Sequence, residues 1–178
     1  MFLLLMTGLL VIFEPQTMYP SIWNLEAMSR LLAYPLALLL LTASAAHAGS
    51  LSFDVAKTAS CGCCSAWVEH IRAAGHEVKT SDMDMGSLSQ HKLKLGINPQ
   101  YASCHTATVE GYVIEGHVPV TDIERLLKER PKAIGLAAPG MPEGSPGMEM
   151  GTYREAHDVV LVKLDGTSEV WTHYPEKQ

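Results

Sequence analysis

The sequence predicts an α/β domain with a small mixed sheet, and three neighbouring segments carry that prediction. Residues 51–56 alternate between apolar and polar side chains, which is typical of a half-buried strand. Residues 63–74 follow a helical pattern with apolar side chains on one face, and Gly75 is a natural helix end. Residues 76–80 again favour a strand. Strand, helix and strand in this order indicate a βαβ unit.

The rest of the chain adds further short helices and strands. The segment TDIERLLKER is amphipathic, and Thr121 or Asp122 can cap its start. Asp165-Gly166 is a strong hairpin signal between two β-rich segments. The predicted helices are 87–95, with Ser87 as a cap and Gly96 as its end, and 121–130; the predicted strands are 106–109, 112–114, 159–164 and 169–174.

Residues 131–152 have a different composition from the segments around them. They contain four prolines, five glycines and three methionines, which predicts neither a helix nor a strand. A long irregular segment inside a compact domain is usually functional or disordered. We therefore expect a Pro/Gly/Met-rich loop here.

The first 48 residues have the features of an export signal. Arg30 provides a short positive region, residues 31–41 are apolar, and residues 46–48 have the small-x-small pattern of a cleavage site. The apolar run is shorter than the roughly 20 residues that cross a membrane. We interpret residues 28–48 as a signal peptide cleaved after Ala48. We interpret residues 1–27 as an extension upstream of the true translation start.

This interpretation predicts a mature domain of residues 49–178 in the periplasm. The alternative is an uncleaved N-terminal anchor, which is the one arrangement in which we expect contact with a membrane. The whole chain has 13 basic and 19 acidic residues and no basic block, so nothing indicates nucleic-acid binding. No Ser-His-Asp motif, phosphate loop or paired-carboxylate signature supports a hydrolase or a kinase.

Three of the four cysteines lie within four positions. Cys61, Cys63 and Cys64 sit between a predicted strand and a predicted helix, where the positive end of the helix favours thiolates. Cys104 precedes a predicted strand, and a fold that brings it beside the first three cysteines completes a four-sulfur site. The spacing differs from the two separated pairs that are typical of zinc, and clustered thiolates favour Cu(I).

Histidines and methionines near these motifs are further candidate ligands. His105 adjoins Cys104, and His117 lies just before a predicted helix. Thioether sulfur also suits Cu(I), and in a Pro/Gly-rich loop a methionine is not explained by core packing. The candidate metal ligands are therefore Cys61, Cys63, Cys64, Cys104, His105, His117, Met141 and Met148.

Two other interpretations of the cysteines remain open at this stage. Four cysteines in an exported protein commonly form two structural disulfides. Alternatively, Cys61 and Cys64 form a C-x-x-C pair that could act as a metal-free thiol–disulfide oxidoreductase. The adjacent Cys63 and Cys64 cannot easily bond to each other, and the additional Cys63 suits a metal better than a simple dithiol.

Three motifs in order resemble a known family: KTASCGCCSAWVEHIRAAG, SCHTATVEGYVIEGHVPVTDIERLL and GLAAPGMPEGSPGME. They are similar to CopG-type periplasmic copper-resistance proteins, a predicted metal-binding family of unknown function. The resemblance implies a single thioredoxin-like domain, export to the periplasm and copper held in a cysteine-bridged multinuclear cluster. It covers nearly all of residues 51–174, and the eight candidate ligands match its motifs.

We therefore expect a periplasmic copper-binding protein for copper resistance, with Cu(I) held by thiolates and assisted by His and Met. Its expected partners are copper ions and other periplasmic copper carriers or efflux components. Storage, delivery and a copper-linked oxidoreductase activity all agree with the sequence.

Overall fold

A mixed sheet of seven strands runs through residues 49–178, the part of the chain that this computed structural model describes. The predicted extension and signal peptide in residues 1–48 lie outside it. The elements in chain order are β1 (Ser52–Lys57), α1 (Gly62–Ala73), β2 (Glu77–Asp82), α2 (Met85–Lys94), a 3-10 turn (Pro99–Tyr101), β3 (Thr106–Val109), β4 (Tyr112–Glu115), α3 (Val120–Glu129), β5 (Ala133–Ala137), β6 (His157–Lys163) and β7 (Ser168–Tyr174).

The strands lie in the order β2-β1-β3-β4-β5-β6-β7. The pairs β1–β2 and β4–β5 are parallel, and the other neighbouring strands are antiparallel. The predicted α/β class and mixed sheet are confirmed, and so is the βαβ unit formed by β1, α1 and β2. The sheet is larger than the sequence suggested because one strand was not predicted.

That strand is β5, inside the segment predicted to be a loop, so the prediction for residues 131–152 is wrong at its start. β5 pairs on both sides, with β4 and with β6, and its last three residues are buried. A side chain on Gly135 would overlap the backbone of Val113 on β4, so glycine is needed there for close strand pairing. The Pro/Gly/Met-rich part that remains, residues 138–152, is called the methionine loop below.

Two helix starts differ from the sequence prediction. Helix α2 begins earlier than expected, and its cap is Asp84 rather than Ser87: the Asp84 carboxylate accepts a hydrogen bond of 2.9 Å from the Ser87 backbone N–H. Helix α3 has Pro119 at its N-cap position and no side-chain cap, so neither Thr121 nor Asp122 caps it. Several polar residues near a helix start can each serve as the N-cap, so the capping residue is hard to choose from sequence.

Asp122 instead joins α3 to the last strand. Its buried carboxylate accepts hydrogen bonds from the Thr172 hydroxyl (2.5 Å) and the Tyr174 hydroxyl (2.8 Å), both on β7. Burial, followed by the Asp122 carboxylate, raises the pKa of Tyr174 to about 12, so this hydroxyl remains a donor near neutral pH.

The main core packs α1 and α3 against the sheet. Trp67 on α1 is fully buried, meets the Phe53 ring of β1 edge-on, and donates from its indole nitrogen to the Val118 carbonyl at 2.9 Å. This bond joins the first helix to the turn between β4 and α3. No helix within residues 49–178 is both long and apolar enough to cross a membrane.

The Asp122 contact predicts the effect of one substitution on stability. Asp122→Asn replaces an acceptor-only group with one that also donates, so one hydroxyl partner must reorient or lose its bond. We expect the free energy of unfolding in a denaturant titration to fall by about 1–3 kcal/mol. Glu124→Gln on the same helix is the control, since that side chain is 55% exposed and should change stability by less than ~0.5 kcal/mol.

Candidate metal centre

Four segments of the chain meet at the start of α1. They are the cysteine loop (residues 60–64), the stretch that enters β3 (residues 102–105), the turn after β4 that carries His117, and the methionine loop. Cys61 occupies the N-cap position of α1, and its sulfur accepts a hydrogen bond of 3.3 Å from the Cys64 backbone N–H. The sulfurs therefore cluster where the helix leaves its backbone N–H groups unpaired.

Cys61 and Cys64 are joined by a disulfide, and Cys63 and Cys104 are free. The alternative of two structural disulfides is therefore wrong for this structure. The pairing is the one that the C-x-x-C spacing suggested. Cys64 is fully buried at the base of the helix, whereas the other three sulfurs belong to half-buried residues.

The predicted convergence of the four sulfurs is present. Cys63 Sγ lies 3.4 Å from Cys61 Sγ and 3.9 Å from Cys104 Sγ. All four sulfurs lie within 4.8 Å of one another, although the cysteines come from segments about 40 positions apart. Cys104 reaches the cysteine loop because β3 pairs antiparallel to β1, which places the start of β3 beside the end of β1.

Two histidines extend the cluster on the far side of Cys104. Cys104 Sγ lies 3.0 Å from His117 Nε2 and 3.4 Å from His105 Nδ1. These three residues form a second group of converging ligand atoms, which shares Cys104 with the four-sulfur group. The structure therefore brings together six of the eight residues that the sequence nominated.

The orientation of His117 is set by the methionine loop. Its Nδ1 lies 2.8 Å from the carbonyl oxygen of Pro146, so Nδ1 must carry the hydrogen and donate it. In the neutral ring Nε2 then has a free lone pair, and this is the atom that faces Cys104. A backbone carbonyl that fixes the tautomer of an imidazole is a frequent outer partner of metal-binding histidines.

His105 is enclosed more completely. Its ring lies 4.5 Å from the Trp67 ring and 5.0 Å from the His117 ring, measured between centroids, and its Nε2 has no hydrogen-bond partner. Burial and then the neighbouring His117 hold the pKa of His105 well below its usual value, so the ring is neutral. Burial also lowers the pKa of His117. Neutral imidazole is the form that binds metals.

Cys104 is a protonated thiol in the metal-free protein. Burial, followed by the proximity of Cys63, raises its pKa to about 12. A thiol of this kind reacts slowly as a nucleophile, but it can lose its proton when a cation binds its sulfur. Two half-buried thiols, a reducible disulfide and two neutral imidazoles make a soft donor set, and this set fits the soft metal that the sequence suggested.

The methionine loop packs directly on the start of α1. Gly147 has a left-handed backbone, and an added Cβ would lie 2.6 Å from the Trp67 nitrogen and 2.8 Å from the Cys63 carbonyl oxygen. Sequence reasoning missed the roles of Pro146 and Gly147 because both were counted only as loop residues. Met148 follows Gly147 and is half-buried, and Met141 is 53% exposed. Their part in metal binding stays a prediction.

Comparisons with known proteins relate the chain to one family and to two solved structures. Residues 101–148, which contain Cys104, both histidines and most of the methionine loop, match the family described as "Protein of unknown function, DUF411". No curated protein matches the chain. Two solved structures, titled copper resistance protein CopG Form 1 and Form 2, are each 42% identical to it. Each covers 71% of this chain, and the matches span 99% and 100% of those chains with TM-scores of 0.67 and 0.66.

Fold and site together define an α/β protein with a centre of converging cysteine and histidine ligands. The identity and coverage of the two structures assign the chain more specifically: it belongs to the CopG family of copper-resistance proteins. The resemblance seen in the three sequence motifs is confirmed.

The contact at Gly147 predicts an effect on the site. Gly147→Ala should destabilise the protein and expose the Cys63 thiol, because the methyl group collides with backbone atoms of α1. Gly151→Ala is a matched control, since Gly151 is also left-handed but has open space around it. Backbone strain should lower the free energy of unfolding of each variant by about 1 kcal/mol. Only Gly147→Ala should lose more than this, and only its Cys63 thiol should react faster with a thiol reagent. Equal losses would contradict the packing described here.

The buried histidines predict a pH dependence of stability. Because the pKa of His105 is depressed by folding, the unfolded chain takes up a proton below about pH 6.5 that the native state does not. The free energy of unfolding of the metal-free protein should therefore fall as the pH drops below 6.5, by roughly 1.4 kcal/mol per pH unit for each such histidine. His105→Phe should reduce this slope, as measured by denaturant titrations at pH 5–7; an unchanged slope would contradict it.

Proposed function

We propose that this chain is a periplasmic copper-resistance protein that binds Cu(I) in a multinuclear cluster bridged by Cys61, Cys63, Cys64 and Cys104. The observation that carries the proposal is the convergence of four sulfurs within 4.8 Å of one another, with Cys104 also in contact with two neutral imidazoles. The names of the two related structures support copper rather than another soft metal.

The donor set argues for copper on chemical grounds as well. Thiolates select Cu(I) and zinc, and the close spacing of three cysteines in one loop permits sulfur atoms to be shared between ions. Two groups of converging ligand atoms that share Cys104 support the binding of more than one cation. His105 and His117 complete the set on one side, and Met141 and Met148 are proposed as thioether ligands from the methionine loop.

Copper binding by all four sulfurs requires that the Cys61–Cys64 disulfide be reduced. The reduction takes two electrons and two protons and yields two thiols, and an external dithiol can supply both as it becomes a disulfide itself. Cys61 is half-buried and Cys64 is buried, so the incoming thiol meets Cys61 first. The redox state of this pair then determines whether two or four sulfurs are available.

The proposed location follows from the signal peptide predicted in residues 28–48, with cleavage after Ala48 and residues 1–27 as an upstream extension. In the periplasm the protein would exchange copper with other copper carriers or with efflux components, through the half-exposed face at Cys63. N-terminal sequencing of the protein from the periplasmic fraction tests this part of the proposal, and an N-terminus other than residue 49 counts against it.

We also propose that β1 to α3 form a thioredoxin-like unit. The strand order β2-β1-β3-β4, the parallel β1–β2 pair joined through α1, and the antiparallel β3–β4 hairpin followed by α3 support this assignment. The C-x-x-C pair at the start of α1 has the place expected in such a unit. Strands β5, β6 and β7 extend the sheet beyond it.

The second candidate function is a metal-free thiol–disulfide oxidoreductase using Cys61 and Cys64. The observation in its favour is the disulfide itself, which sits at the N-terminus of a helix with Cys61 half-exposed. This candidate predicts rapid reduction of insulin by the metal-free dithiol protein. It gives no role to Cys104, His105 and His117.

The deciding experiment is a titration of the fully reduced exported protein with Cu(I) under anaerobic conditions, against a chromogenic Cu(I) chelator. We expect more than one copper ion per chain, with a lower stoichiometry after Cys63→Ser or Cys104→Ser in proteins that remain folded. Met141→Leu and Met148→Leu should weaken retention, whereas Met150→Leu, at a side chain 75% exposed, is their control. No copper binding together with rapid insulin reduction would replace the proposal by the oxidoreductase.

A further inference from the structure

A buried ion pair lies next to residues 102–105, the stretch that carries Cys104 and enters β3. Lys92 on α2 is 6% exposed and Glu115 on β4 is 0% exposed, and Lys92 Nζ lies 2.6 Å from Glu115 Oε1. The Thr106 hydroxyl closes the group: it accepts from Lys92 Nζ at 2.7 Å and donates to Glu115 Oε2 at 2.5 Å. None of these three residues is a ligand in the proposed function.

A buried pair of this kind is a poor way to gain stability. Removing two charges from water costs several kcal/mol for each ion, and apolar residues of similar size often serve as well or better. A more specific role is indicated by the remaining partner of Glu115. Its Oε1 also accepts a hydrogen bond of 2.6 Å from the backbone N–H of Ser103, the residue before Cys104.

The other hydrogen bonds of residues 102–105 are made by different atoms of this stretch. The Gly140 backbone N–H donates to the Ala102 carbonyl at 3.1 Å, and the Ser103 hydroxyl donates to the Gly140 carbonyl. The Gly116 N–H donates to the His105 carbonyl at 3.0 Å. The bond to Glu115 is the one made by the Ser103 peptide N–H, immediately before the Cys104 residue whose sulfur contacts Cys63 and His117.

We infer that Lys92 and Glu115 are positioning residues, which hold the Ser103 peptide so that the Cys104 sulfur faces both Cys63 and His117. Glu115 supplies the acceptor, and Lys92 supplies the positive charge that allows a carboxylate to stay there. Glu115 ends β4, and His117 follows two residues later in the turn. Glu115 therefore lies close in the chain to His117 and is bonded to the residue before Cys104, the two residues whose side chains are in contact. The inference rests on the proposed function for its biological meaning, whereas its geometry concerns Cys104 alone.

The test compares two double variants that both remove the ion pair. Lys92→Met with Glu115→Gln keeps an amide oxygen that can accept from the Ser103 N–H. Lys92→Met with Glu115→Leu is apolar and leaves the Ser103 N–H without that acceptor. In a Cys63→Ser background with the Cys61–Cys64 disulfide intact, Cys104 is the free thiol among the four cysteines, so its rate of alkylation by iodoacetamide reports its position without any metal.

We expect the Leu variant to be alkylated roughly fivefold faster than the Gln variant, the ratio that matches a lost hydrogen bond. With Cys63 restored and the protein reduced, the Leu variant should bind Cu(I) about tenfold more weakly than the Gln variant. Thr106→Val in the same Cys63→Ser background is the control for general loosening of the buried group. It leaves the Ser103 bond to Glu115 in place, so it should react like the Cys63→Ser parent.

Equal alkylation rates in the two double variants would overturn the inference. If the Leu variant does not fold, amide hydrogen exchange of Ser103 in the wild type decides instead: protection supports the inference, and exchange at the rate of an unprotected peptide overturns it. Faster alkylation of the Leu variant, with no Cu(I) bound even by the wild type, would retain the positioning role and reject the proposed function.

Discussion

The geometry of the site depends on the hydrogen bond and the ring contacts made by the indole of Trp67. Its N–H bond to the Val118 carbonyl fixes the turn that carries His117, and its ring forms one wall around His105. The backbone nitrogen of the same residue is the surface on which Gly147 packs. The side chain of Trp67 therefore contacts His105 and holds the turn that carries His117, whereas its backbone contacts the loop that orients His117. A smaller aromatic ring at this fully buried position would lose the hydrogen bond and leave a cavity in the core.

In the proposed function, a soft metal centre is assembled in part from neutral side chains. Burial keeps the Cys104 thiol and the His105 ring neutral near neutral pH. Nothing in this part of the centre repels its neighbours electrostatically, so the ligands can stay close together before any cation arrives. The free-energy cost then arises on metal binding, because the thiols must lose their protons.

Sequence patterns predicted the elements that have a regular spacing of apolar residues or a residue that typically ends a helix or forms a turn. The βαβ unit and the amphipathic α3 were recognisable because α1 and α3 each bury one face, and β3 and β4 were recognisable by their β-rich composition. β5 was missed because a strand paired on both sides has no polar alternation, and its flanking prolines and glycines resemble those of a loop. The cap at Asp84 is a local contact with Ser87 and was missed because α2 begins earlier than its predicted start. The bonds of Asp122 depend on tertiary contacts that no local pattern records.

The candidate site was predictable to the extent that its ligands lie in recognisable motifs. The clustered cysteines and the Cys104-His105 pair gave the chemistry, and antiparallel pairing of β3 with β1 brought them together. The residues that orient these ligands were not predictable, since Pro146 acts through a backbone carbonyl and Glu115 looks like an ordinary charge at a strand end.

Cys104 belongs to both groups of converging ligand atoms, and in the proposed function this shared residue couples the binding of two cations. In the proposed function, a cation that engages the sulfur from the cysteine side restrains the same atom that faces the histidines, so the ordering needed for a second cation is partly complete. Such coupling is reciprocal between two binding events. It favours chains that are either empty or filled over chains that hold a single ion, which suits a protein that must keep copper from escaping one atom at a time.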